Sequence, residues 1–258
     1  MDGFINIFPV FLLVLIRVVS FFMTIPIFSY RAVPIRFKIG FATFLAVILS
    51  LSIEAKPIEI DGVFLLLAMK EALVGLVLGL FGYIIMSAVQ VAGGFIDFQM
   101  GFAIANVIDP QTGAQSPIIG QYLYIFALLF LLSIDGHHLL IDGIFHSFDF
   151  IPLDEPFLAF GEEGTILLVM KTFATMFMIA FQISLPIVAS LFLVDVALGI
   201  VARTVPQMNV FVVGLPVKIL VSFLLMFFVI GTMIAAIQTI FELLLYSMRD
   251  LMALLGQG

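Results

Sequence analysis

TFATMFMIAFQISLPIVASLFLV, residues 172–194, runs 23 positions without a charged side chain. A helix needs about 20 apolar residues to cross the hydrocarbon core of a bilayer, so this stretch is long enough alone. It decides the fold class, because only helices and closed barrels satisfy every backbone group in lipid. Three more uncharged stretches, 72–96, 110–134 and 219–241, are 25, 25 and 23 residues long. Two further spans are expected at 4–28, interrupted by Arg17, and at 37–53, with Lys38 near its start. The reading is an all-α membrane protein of about six hydrophobic helices arranged as helical hairpins.

Composition agrees. The chain has 258 residues, 64% of them hydrophobic and 10% charged, where a soluble domain is about half apolar and a quarter charged. Mean hydropathy is +1.31. So few charges cannot cover a water-facing surface, so lipid or partner subunits must replace the missing polar skin. The net charge of −7 comes with no basic tract, and nucleic acid is excluded as a partner because phosphate binding needs clustered Lys and Arg. Cys is absent, which removes disulfides, thiol chemistry and Cys-ligated metals. Met1-Asp2-Gly3 leads into the first apolar run without a positive segment or a small-residue cleavage site, so the first helix is expected to be retained.

Pro, Gly and charge mark the connections, expected at 29–36, 54–62, 149–164 and 203–218. Arg31, Arg36 and Lys38 in the first, and Arg203 and Lys218 in the last, place both loops in the cytoplasm by the positive-inside rule. The acidic loop 149–163 and both termini are then expected on the other side. Residues 166–202 and 65–95 are 37 and 31 residues long. The longer is about 55 Å as a helix, against a hydrocarbon core of about 30 Å. Pro186 is a candidate kink. No linker or short-period repeat divides the chain, which reads as one domain.

The most unusual segment is DFQMGFAIANVIDPQTGAQSP, residues 97–117. It is apolar but broken by Gly101, Gly113, Pro110 and Pro117, and irregular backbone at membrane depth survives only inside protein or beside water. It reads either as a re-entrant or plug loop after the third helix, with Met and Phe forming a soft constriction, or as a surface loop. Arg17, Lys70-Glu71, Asp97 and Asp195 lie within or beside apolar runs, where a charge costs roughly 3 kcal/mol on insertion scales. Pairing, for example Arg17 with Glu71 or Asp195, is expected over an ion relay. Gly75, Gly79 and Gly82 form a small-residue stripe that lets another backbone approach. His137, His138 and His146 are the only histidines. A metal would need carboxylates such as Asp135 or Asp142 beside them, and a turn or cap role is the expected one. Phosphate-cradling and nucleophile-elbow motifs are absent, and no enzyme activity, cofactor or metal is expected.

AGGFIDFQMGFAIANVIDPQTG (92–113), DGHHLLIDGIFHSF (135–148) and LPIVASLFLVDVALGIVARTVPQMNVFVVGLPVKI (185–219) together resemble the FliR/SctT family, and the resemblance covers essentially the whole chain. It implies a subunit of the type III protein export gate of the bacterial cytoplasmic membrane, in the flagellar basal body or in the related virulence apparatus. It implies assembly with FliP-like and FliQ-like subunits and a further gate component of FlhB type, with unfolded exported proteins as substrates and membrane lipid around the assembly. Residues 1–150 would be the FliP-like part of a single domain and 160–250 a FliQ-like hairpin. The family's plug maps onto Gln99, Met100, Gly101, Phe102, Asn106, Asp109, Pro110 and Gly113. Arg203, Pro206, Gln207 and Lys218 map onto the cytoplasmic hairpin tip, where neighbours are contacted. The rival readings are a secondary transporter coupling ions through Asp195, Asp97 or Lys70-Glu71, and a purely structural scaffold.

Overall fold

The computed structural model describes residues 2–30, 32–53, 58, 60–102, 117–158, 163–207 and 209–256. Among these residues there are seven helices and no strand: α1 (Asp2–Thr24), α2 (Ile35–Ser52), α3 (Gly62–Met100), α4 (Ile118–Ser133), α5 (Gly136–Phe150), α6 (Glu163–Thr204) and α7 (Val210–Leu255). Five are long and apolar enough to cross a membrane, and α4 with α5 makes a sixth, bent unit. The architecture is the all-α membrane fold that the charge-free runs dictate.

The helices run further than the charge-free windows. The 23-residue charge-free window 172–194 sits inside an α6 of 42 residues, and α7 spans 46. Pro9, Pro186 and Pro216 all lie within helices. The expected connection at 203–218 is therefore too long, since the chain is outside helix only between Thr204 and Val210, with Gly214 and Pro216 inside α7. The reason is the medium. Backbone groups in apolar surroundings have no water to turn to, so the helix continues past residues that would end it in a soluble protein. The expected uninterrupted span at 110–134 is also corrected. There α4 has 16 residues, and the chain then bends by 75° into α5. Asp135 makes that bend with φ 57°, a left-handed conformation that Asp tolerates better than most residues.

The chain divides into two compact units, one of residues 1–85, 131–173 and 241–258, the other of 86–130 and 174–240. In the first, α1 lies against α3 at glycines. A Cβ on Gly79 would stand 2.8 Å from the Phe21 carbonyl oxygen, and one on Gly75 would strike the Arg17 carbonyl oxygen. Phe22 stacks on Phe28 at 4.4 Å and on Phe41 of α2 at 5.6 Å. Leu13, Val14, Val18, Leu78, Leu140, Ile144 and Leu244 fill the interior. In the second unit Gly93 of α3 faces Gly120 of α4 so closely that a Cβ on Gly93 would overlap the Gly120 backbone. Met86, Val89, Ile96 and Met100 line the buried side of α3 there.

Candidate functional site

The buried charges of the first unit form one cluster. Arg17, fully buried, makes a two-pronged ion pair with Glu71, with Nη2 to Oε1 at 3.0 Å and Nε to Oε2. Its remaining N–H groups donate to the Ser147 carbonyl at 2.9 Å, the Ser147 hydroxyl at 3.0 Å and the Ile151 carbonyl at 2.8 Å. Lys70 pairs with the same Glu71 at 2.7 Å and donates to the Pro152 carbonyl at 2.6 Å. Two cations against one carboxylate leave an excess positive charge in the interior. It is met by the carbonyl end of α5, because the last carbonyls of a helix lack intrahelical partners and carry the negative end of its dipole. The Phe148 ring adds its π-face 4.0 Å from the guanidinium carbon. Every donor of this Arg fork is used to hold three helices together. A fork with every donor engaged fixes the three helices against one another.

A second constellation lies in the other unit, where α3 ends. Asp97 Oδ2 accepts from the backbone N–H of Ile119 at 2.9 Å and of Gly120 at 3.3 Å, capping α4. A carboxylate at a helix N-terminus satisfies orphan donors and complements the dipole. Gln99 Nε2 donates to Asp195 Oδ2 of α6 at 2.8 Å, and Lys218 of α7 binds both Asp195 oxygens at 2.7 and 2.9 Å. Asp195 thus pairs with Lys218, not with Arg17. Met100 is buried, and Gly101 turns the chain with φ +92°, its α-carbon side facing Leu215. Phe102 closes that turn by donating from N to the Asp97 carbonyl at 3.1 Å.

Together these contacts hold the two described ends of the 103–116 segment. Phe102 is fixed on the side of α3, and Pro117 leads into α4 under the Asp97 cap. The Gln99–Asp195–Lys218 chain ties the same point to α6 and α7. Asn106, Asp109, Pro110 and Gly113 lie outside the described residues. Arg203 lies in the last turn of α6, and Pro206 and Gln207 stand exposed in the turn before α7. Lys218 is not in that turn. It sits inside α7 with its side chain 17% exposed, occupied by Asp195.

Sequence reasoning missed the carbonyls of Ser147, Ile151 and Pro152, which carry no signal in side-chain pattern. It missed the Gly93–Gly120 contact as well.

The family model for bacterial export proteins, family 1, matches residues 8–244. The chain is 58% identical over 257 residues to the flagellar biosynthetic protein FliR of Bacillus subtilis, covering 99% of both chains. It is 32% identical to the protein of that name from Escherichia coli, over 82% of this chain and 80% of the relative. It is 30% identical to that of Pectobacterium carotovorum, over 92% and 89%.

Proposed function

The chain belongs to the bacterial export proteins of family 1, and from that membership we propose how its parts serve protein export. It is a multi-pass protein of the bacterial cytoplasmic membrane and a structural subunit of the flagellar type III export gate, acting with other proteins of the export apparatus. The finer reading is ours. FliP-like and FliQ-like subunits cover the chain, and a component of FlhB type meets the tip at Arg203, Pro206 and Gln207. Residues 1–150 act as a FliP-like part and 160–250 as a FliQ-like hairpin. The loop with Gln99, Met100, Gly101, Phe102, Asn106, Asp109, Pro110 and Gly113 plugs the resting pore through which unfolded proteins leave. Catalysis is not part of this role, and the energy for transport comes from other components.

The observation that carries the reading is the bareness of α6 and α7. Only 11% of the most apolar window of each is buried, against 56% for α3. Phe227 and Phe228 are 74% and 78% exposed. Two helices of this length cannot be clothed by a bilayer of about 30 Å over their whole extent, so protein partners are needed. Purification in mild detergent tests it. A gate subunit emerges in a large hetero-oligomer with other export proteins. A chain that emerges alone, or only with copies of itself, refutes the assignment of partners.

A further inference from the structure

All three histidines fall within ten residues of one another, at the α4–α5 bend and along α5. Their spacing alone assigns them to a turn. The folded bend does more, because it brings one ligand atom each of Asp135, His137 and His138 within 4.8 Å of one another. We propose that these three side chains form a binding site for one borderline divalent transition-metal ion of the Zn2+ class.

Three observations point there. Asp135 is the N-cap residue of α5, yet its side chain makes no cap hydrogen bond. An Asp at that position ordinarily bonds the free N–H groups of the first turn. Here its carboxylate turns to His138 Nδ1 at 3.6 Å instead. Metal–ligand bonds of about 2.0–2.2 Å imply a tetrahedral edge of about 3.3–3.5 Å, so this pair needs only a small closure to share an ion. His137 Nδ1 is buried and has no hydrogen-bond partner among the described residues. An unpaired imidazole nitrogen beside a second imidazole, with ring centroids 4.1 Å apart, is a group that a bound metal ion would satisfy.

The seat is firm. Gly136, between the ligands, packs on Phe241 so tightly that a Cβ there would stand 2.7 Å from the ring Cε1. The donor set selects the ion. Two imidazoles and one carboxylate suit Zn2+, Co2+, Ni2+ or Cu2+, whereas Ca2+ and Mg2+ take oxygen ligands. The positive end of the α5 dipole opposes any cation, so the Asp135 charge is required and its loss weakens binding as much as loss of an imidazole. Farther along α5, His146 has each ring nitrogen opposite a carboxylate, Asp142 at 3.7 Å and Asp149 at 3.1 Å. It is engaged elsewhere and serves as the control.

The test uses the full chain in the complex it co-purifies with, carrying a tag free of histidine. Zn2+ binding is measured by competition with a chromophoric chelator, and Co2+ by its visible d–d absorption. Expected are one ion per chain and an intense tetrahedral Co2+ spectrum. His138→Ala and Asp135→Asn each lower the affinity at least tenfold and abolish the spectrum, while His146→Ala leaves both unchanged. Both site variants preserve the fold, because His138 and Asp135 are 70% and 81% exposed and Asn accepts the left-handed backbone. Absence of tight binding overturns the proposal. So does unchanged affinity in His138→Ala, or an equal loss in His146→Ala.

Discussion

Glu71 holds two cations, and its neighbours show what its removal does. With Glu71→Ala, Arg17 and Lys70 stay buried with carbonyls, the Ser147 hydroxyl and a ring to face, and no carboxylate hydrogen-bonded to the guanidinium. Breaking a buried pair by deleting one partner costs about 3–5 kcal/mol. The expected outcome is a sharply lower thermal midpoint in detergent and a reduced level of the chain in membranes. Arg17→Lys does not spare it, because an ammonium cannot reach Glu71, Ser147 and Ile151 at once as the planar fork does. At Asp97 the effect is smaller. Asp97→Ala removes an N-cap worth about 0.5–2 kcal/mol, while Asp97→Asn keeps an acceptor for Ile119 and Gly120. Hydrogen exchange at those two amides reads it, faster in the Ala variant and near native in the Asn variant. The need for a partner was legible at Arg17, since an isolated charge in an apolar run must find one. The choice between the two candidates, Glu71 and Asp195, was not. Glu71 is 54 residues away, and the carbonyls that complete the shell belong to a helix end whose position only folding sets.

Helix crossings make the next scale testable, because the glycines separate into tight and free ones. Gly93→Ala places a methyl group into the Gly120 backbone, which cannot rotate away as a side chain would. Overpacking of this kind costs about 1–3 kcal/mol, and here it pushes α4 off α3 at the roots of the 103–116 segment. Gly94→Ala meets only Pro117 Cγ at 3.5 Å, an ordinary contact, and Gly231→Ala meets nothing. Swimming in soft agar is expected to fail for the first and to persist for the other two. Equal motility in all three would show that the Gly93–Gly120 crossing is not needed for export. At this scale the charge-free runs located the spans well, because hydrophobic length is a local property. They misplaced ends where Pro and Gly were taken as stops, as at Gly214 and Pro216, because that rule holds in water and not against apolar surroundings. The bend at Asp135 was half legible. Gly136-His137-His138 marked a break, but the left-handed backbone of Asp135 and the 75° turn were not written there, nor the seating of Gly136 on Phe241, 105 positions away.

The molecule as a whole leaves most of its hairpin uncovered, and the question is what covers it. Lipid can wrap about 30 Å of an apolar helix, while α7 with 46 residues is about 69 Å long at the helical rise. The surplus must meet protein or be an exposed apolar surface, which soluble surroundings do not tolerate at this size. Because the chain has no Cys, a single introduced thiol can be read without background. Phe228→Cys on α7 and Gln207→Cys at the tip are expected to crosslink to other proteins of the export apparatus in intact membranes, at sites identified by mass spectrometry. The plug reading has its own measurement. A short deletion within residues 103–115 is expected to make cells that overproduce the complex leak ions, with the complex still assembled, because the anchors at Asp97, Gln99 and Gly93 remain. Background conductance in an assembled complex would exclude the plug while leaving the family membership untouched. Crosslinks from residue 207 that reach lipid alone would remove the partner contact at the tip, and a leaking deletion together with protein crosslinks at 207 and 228 would support the chain's role as part of the pore wall and its stopper.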